Sequence, residues 1–138
     1  MEKIKIVFGT DNNKNLWKGH FGDSEIFNQW YVYAGGKTEF VKSFINTRKD
    51  MDEKHASEEK LNAVKAMLNE CDCAVAVSMS PNFKKMAENT ALQPLIVTDC
   101  ADVPEMFTVI VKNFDKISEE ITKRKKGGRE KNIPKYEK

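Results

Sequence analysis

The sequence predicts one α/β domain on a five-stranded mixed sheet, in the order β-β-β-α-β-α-β-α, with helices flanking the sheet. Three observations carry this. Lys3-Ile4-Lys5-Ile6-Val7-Phe8 alternates and then turns wholly apolar, as a central strand does. Residues 26–34 and 37–45 are aromatic and β-branched runs on either side of Gly35-Gly36, which can supply the positive φ of a tight hairpin turn. Beyond residue 57, helix-spaced apolar positions alternate with the short apolar runs 73–77 and 94–98, the pattern of helices laid over buried parallel strands.

Each element has a local cause. Gly9-Thr10-Asp11-Asn12-Asn13 breaks the first strand, and a loop follows to about Asp23. After the hairpin, 46–56 is a polar connection. Ser57 is placed to cap the first helix, with Glu58 and Glu59 where the helix dipole favours them and Leu61, Val64, Met67 and Leu68 on one face. Ser80-Pro81 starts a second helix ending near Asn89, with Phe83, Met86 and Ala87 aligned. Asp102 precedes a helix carrying Val103, Phe107, Ile110, Val111 and Phe114, and Asp115 is expected to cap a last one with Ile117 and Ile121 inward. A hairpin followed by two crossovers makes strands one, four and five parallel and strand two reversed.

With 138 residues, 40% of them hydrophobic and 32% charged, the chain has material for one packed domain, placed at 1–122. The net charge of +2 conceals a split, because 1–122 holds 15 basic and 19 acidic residues while 123–138 holds 8 and 2. The second segment reads as a basic, flexible tail once the pattern is lost after Lys126-Gly127-Gly128. No apolar run approaches the ~20 residues that span a bilayer, and no signal-peptide core follows Met1-Glu2-Lys3. A cytoplasmic location is expected, and with it reduced thiols for the three cysteines.

The opening strand 4–8, the His20-Phe21-Gly22 loop ahead of the hairpin, and the helix running into Cys71-Asp72 and strand four together resemble the dinitrogenase iron-molybdenum cofactor biosynthesis family, in particular its small cofactor carriers. The likeness covers about residues 1–122 in element order. It implies a ribonuclease H-like fold, binding of an iron-sulfur or iron-molybdenum type cluster or its precursor, and cluster donor or recipient proteins as partners. One departure is visible: after strand four the family tends to carry a Gly-containing turn, where this chain has Ser78-Met79-Ser80-Pro81. A bulkier turn narrows the approach of a large cofactor.

Ligands of open α/β sheets sit beyond the carboxyl ends of the parallel strands. That edge collects Thr10 and Asp11 after strand one, Gly19-His20-Phe21-Gly22 in the loop, Ser78 and Ser80 after strand four, and Cys100 after strand five. Strand three, parallel to strand one after two reversals, delivers His55 to the same side. Imidazole suits iron and related metals, which makes His20 the leading ligand, with His55 and Cys100 as auxiliaries. Cys100 lies near a helix start, where a lowered pKa favours thiolate. Cys71 and Cys73 enter strand four from the opposite end, about 20 Å away for six residues of strand, and are expected to be buried and structural.

Other chemistries find less support. Gly35-Gly36-Lys37-Thr38 echoes the end of a phosphate-binding loop, but that motif needs Gly in place of Tyr31 and a helix after it. A two-metal nuclease needs converging carboxylates, and strand four with its turn offers none. The expected protein is therefore a non-catalytic binder or carrier rather than an enzyme. The alternative is a protein or nucleic-acid interaction module on the same fold that has lost its cofactor. The basic run at 123–126 lacks the interleaved aromatics of a nucleic-acid surface, so a solvated tail is the expectation and nucleic acid is not an expected partner.

Overall fold

A computed structural model describes residues 1–46, 70–127 and 133–138. The helix expected from Ser57, and His55 ahead of it, lie outside the described residues. Those described form β1 (Lys3–Thr10), a 3-10 turn (Phe21–Asp23), β2 (Ile26–Tyr33), β3 (Thr38–Ile45), β4 (Cys73–Ala76), α1 (Pro81–Asn89), β5 (Gln93–Thr98), α2 (Val103–Lys112), α3 (Phe114–Lys125) and β6 (Lys135–Glu137). They make one mixed sheet of order β3-β2-β1-β4-β5-β6.

The strand directions follow the expectation. β2 is antiparallel to β1 and to β3, while β4 is parallel to β1 and β5 to β4. The hairpin closes through the Tyr33 amide donating to the Lys37 carbonyl at 2.8 Å and Gly36 at φ +96°, a conformation that costs glycine little. A bulge falls between Gln29 and Trp30.

Alternation along β1 divides the core. Ile4, Ile6 and Phe8 join Val75, Leu95, Met106, Ile110, Ile117 and Ile121 under α2 and α3. Val7 points the other way, into a second cluster with Phe21, Phe27, Ala74 and Phe83 of α1. The loop residue Phe21 is thus part of the core that covers one sheet face. Asp102 caps α2, its carboxylate accepting from the Glu105 amide at 2.9 Å. α3 begins two residues earlier than expected: Asn113 holds the cap position in place of Asp115, which lies within the first turn. The two helices follow directly on one another, so Asn113 closes one while opening the next, and its side-chain amide donates to the Val109 carbonyl at 2.8 Å.

Two features correct the expected tail. Lys135–Glu137 is a sixth strand, parallel to β5, with Tyr136 packed against the first core cluster and Ile133 against the second. The five-stranded expectation undercounts because a three-residue strand with one apolar side chain has no readable period. The basic run at 123–126 also begins inside α3, where Arg124 is only 4% exposed. Its guanidinium donates to the carbonyls of Ala87 and Thr90 at the end of α1, and Lys125 pairs with Asp72 at 2.9 Å. A cation at these terminal carbonyls satisfies acceptors that the helix leaves open and ties α1 to α3.

Arg124→Ala should lower stability by about 2–3 kcal/mol, the range for charge-assisted hydrogen bonds in a buried setting, as read by urea denaturation. Arg124→Lys should recover only part of this, since an ammonium cannot fork between two carbonyls as a guanidinium does.

Candidate functional site

The segment from Gly9 to Glu25 leaves β1 and returns to β2 at the carboxyl edge of β1, β4 and β5, and hydrogen bonds pin its turns along the way. Asp11 organises the first turn: its carboxylate accepts from the amides of Asn13 at 2.8 Å and Asn15 at 2.9 Å. These bonds, that of the Asn15 amide foremost, hold the carboxyl below the usual range. Lys14 takes φ +67° within this turn. The chain then runs back along β1, with the Trp17 amide donating to the Gly9 carbonyl at 3.0 Å and Leu16 buried.

The Gly19-His20-Phe21-Gly22 motif is held from both sides. Trp17 Nε1 donates to the His20 carbonyl at 2.9 Å, and a Cβ at Gly19 would lie 3.1 Å from that nitrogen. Phe21 is 3% exposed, its ring 5.4 Å from Phe27 and 5.3 Å from Phe83. Ser24 Oγ donates to the Phe21 carbonyl at 2.6 Å. Asn46, at the end of β3, donates from Nδ2 to the carbonyls of Gly22 at 3.1 Å and Ser24 at 2.8 Å. Between these anchors the His20 side chain is 60% exposed, with Nδ1 4.0 Å from an Asp23 carboxylate oxygen.

The predicted site residues separate into two groups. Gly19 and Ser78 meet, the Ser78 hydroxyl lying 3.4 Å from the carbonyls of Lys18 and Gly19, and His20 is the next residue of that loop. Phe21 and Gly22 are the buried half of the same loop. Thr10, Asp11 and Ser80 are taken up by the scaffold: Thr10 Oγ1 accepts from Asn28 at 3.0 Å, Asp11 builds its turn, and Ser80 Oγ accepts from the Phe83 amide at 3.3 Å as the cap of α1. Cys100 is on this edge but buried with Leu16 and Met106 in the core, and burial, with Glu105 adding to it, pushes its thiol up rather than down. Desolvation outweighs the helix start that suggested a thiolate. At the opposite end Cys73 is fully buried, and burial raises the half-buried Cys71 to about 11. Among the described residues no three His, Cys, Asp or Glu side chains are grouped to hold a metal.

The space around the loop is uneven. Beneath it, a cavity bounded by Gly9, Trp17, Ser24, Val75 and Val97 measures about 10 Å³, at the limit for one water. Outside it, Asp11, Asn15, Trp17, Lys18, Gly19 and Ala101 line an open depression of about 470 Å³. Of these two spaces, the outer depression is the one with room for more than a water molecule.

The contact between Gly9 and Ser24 escaped the sequence reading, which took Gly9 as the break of a strand that in fact runs through it to Thr10. A Cβ on Gly9 would fall 1.8 Å from Ser24 Oγ, a contact between residues fifteen positions apart that no periodicity announces. Gly9→Ala should therefore cost about 1–3 kcal/mol, as overpacking does, and shift the fluorescence of Trp17. Gly35→Ala, with no atom within 4 Å of the new Cβ, should stay within about 0.5 kcal/mol.

A family model described as dinitrogenase iron-molybdenum cofactor matches residues 2–110, which takes in β1, the His20 loop, the hairpin, β4, β5 and nearly all of α2. No curated protein matches the chain at a significant level. No helix among the described residues is long and apolar enough to cross a membrane. The matched span covers most of the chain, and the chain belongs to the dinitrogenase iron-molybdenum cofactor family, which is associated with the biosynthesis or handling of that cofactor.

Proposed function

We propose that this chain is a non-catalytic carrier that binds an iron-sulfur or iron-molybdenum type cluster, or its precursor, on the outer side of the His20 loop, and exchanges it with donor and recipient proteins. The observation that carries this reading is an exposed imidazole on a loop whose backbone is fixed on both sides. A ligand side chain presented by an ordered backbone loses little entropy on binding, and imidazole is a competent iron ligand. The open depression beside it gives room that the space beneath the loop lacks.

A cluster held by one protein nitrogen at an open edge is released more readily than one enclosed by several ligands, which suits transfer between proteins. Cys100 joins as a ligand in this reading only if its buried thiol is uncovered, and His55 remains a proposed auxiliary. The antiparallel β3-β2-β1 unit joined to parallel β4 and β5 supports the ribonuclease H-like class that the resemblance implies. A cytoplasmic location suits such a role.

Anaerobic incubation with a cluster donor, followed by removal of unbound cluster and absorption spectroscopy, tests the proposal. Wild type should retain the cluster and His20→Ala should lose at least about nine-tenths of it, a change equivalent to roughly 1.4 kcal/mol of binding. Equal retention by both would remove His20 from the site. Negligible uptake by both would remove the carrier reading itself and favour an interaction module that has lost its cofactor.

A further inference from the structure

β6 closes the outer edge of β5 through the pairs Ile96 with Lys135, Val97 with Tyr136 and Thr98 with Glu137. The Ile96 amide donates to the Pro134 carbonyl at 2.9 Å at the start of this pairing. Beyond β6, Lys138 Nζ donates to Glu105 Oε1 at 2.8 Å. The second oxygen of that carboxylate, Oε2, accepts from the Ala101 amide at 2.8 Å. Glu105 is itself fixed by its amide, which donates to the capping carboxylate of Asp102. One carboxylate thus bridges the end of the chain's last strand to the turn that follows β5. That turn holds Cys100, buried beneath it, and Ala101, which lines the depression opposite Trp17, Lys18 and Gly19.

We infer that β6 and Lys138 form a latch on the wall of the depression, with Lys138 a positioning residue that acts through Glu105 on the Cys100-Ala101 turn. With Oε1 engaged by Lys138, the Glu105 carboxylate is held with Oε2 facing the Ala101 amide. With Lys138 withdrawn, the carboxylate gains rotational freedom, the Ala101 amide opens to water more often, and Cys100 becomes reachable. Such local opening is separate from unfolding, because a turn at a sheet edge opens at far lower cost than the central strands. The inference rests on these contacts alone and does not need the cluster reading.

Hydrogen exchange and thiol alkylation on the full chain, followed by mass spectrometry and without any cluster, test the latch. Lys138→Gln should speed exchange of the 100–105 segment and iodoacetamide labelling of Cys100 by roughly twofold to fivefold, the range an exposed ion pair commands. Exchange in β4 and labelling of Cys73 should stay at the wild-type rate, and Lys138→Arg should return the 100–105 segment to wild type. An unchanged 100–105 segment in Lys138→Gln, a parallel rise in β4 and Cys73, or failure of the Arg variant to restore protection would each overturn it.

Discussion

The hydroxyl of Ser24, 2.6 Å from the Phe21 carbonyl and packed where Gly9 has no side chain, is the contact on which the candidate site depends. It closes the loop between β1 and β2 onto the strand it left. Phe21 can then enter the core between Phe27 and Phe83, and the loop becomes part of the packing of one sheet face. His20, the neighbour of a buried anchor, is left facing solvent on a backbone hydrogen-bonded on both sides. The anchoring comes from core packing and not from the loop's own composition, which is polar and glycine-containing.

The sheet supplies the rest of the arrangement. Three parallel strands end together, so the His20 loop, the Ser78 turn and the Cys100-Ala101 turn arrive at one edge. Their convergence also fills that edge: the Ser78 hydroxyl meets the loop carbonyls, and the space between loop and strands falls to about 10 Å³. The larger of the two spaces lies outward, in the depression beside Trp17 and Lys18. Cys100, beneath the turn, is separated from that surface by the wall that Glu105 and Lys138 hold in place.

Much of this was legible in the residues. The alternation of Ile4, Ile6 and Phe8 against Val7 fixed β1 and its two faces, the apolar run from Cys73 fixed β4, and Gly35-Gly36 fixed the hairpin. The sites of disagreement share a physical cause, which is that contacts between distant residues leave no local pattern. Gly9 read as a strand breaker, although its role is to admit Ser24. Cys100 sits near a helix start, which argued for a thiolate, but the core around it decides its titration. Arg124 looked like one of four tail cations. Its spacing from Ile117 and Ile121 places it on the same helical face, and that signal was available. β6 had no such signal, because its pairing is supplied by β5 and not by its own three residues.

The central claim is that His20, and not another side chain, meets the metal from the outer side of this loop. Pulsed electron paramagnetic resonance of the cluster-loaded chain in a paramagnetic state, with the histidines labelled with nitrogen-15, tests it most directly. The expected result is a histidine nitrogen coupling that changes with the isotope, survives His55→Ala and disappears in His20→Ala. A loaded cluster with no histidine nitrogen coupling, or with a coupling that follows His55, would contradict it.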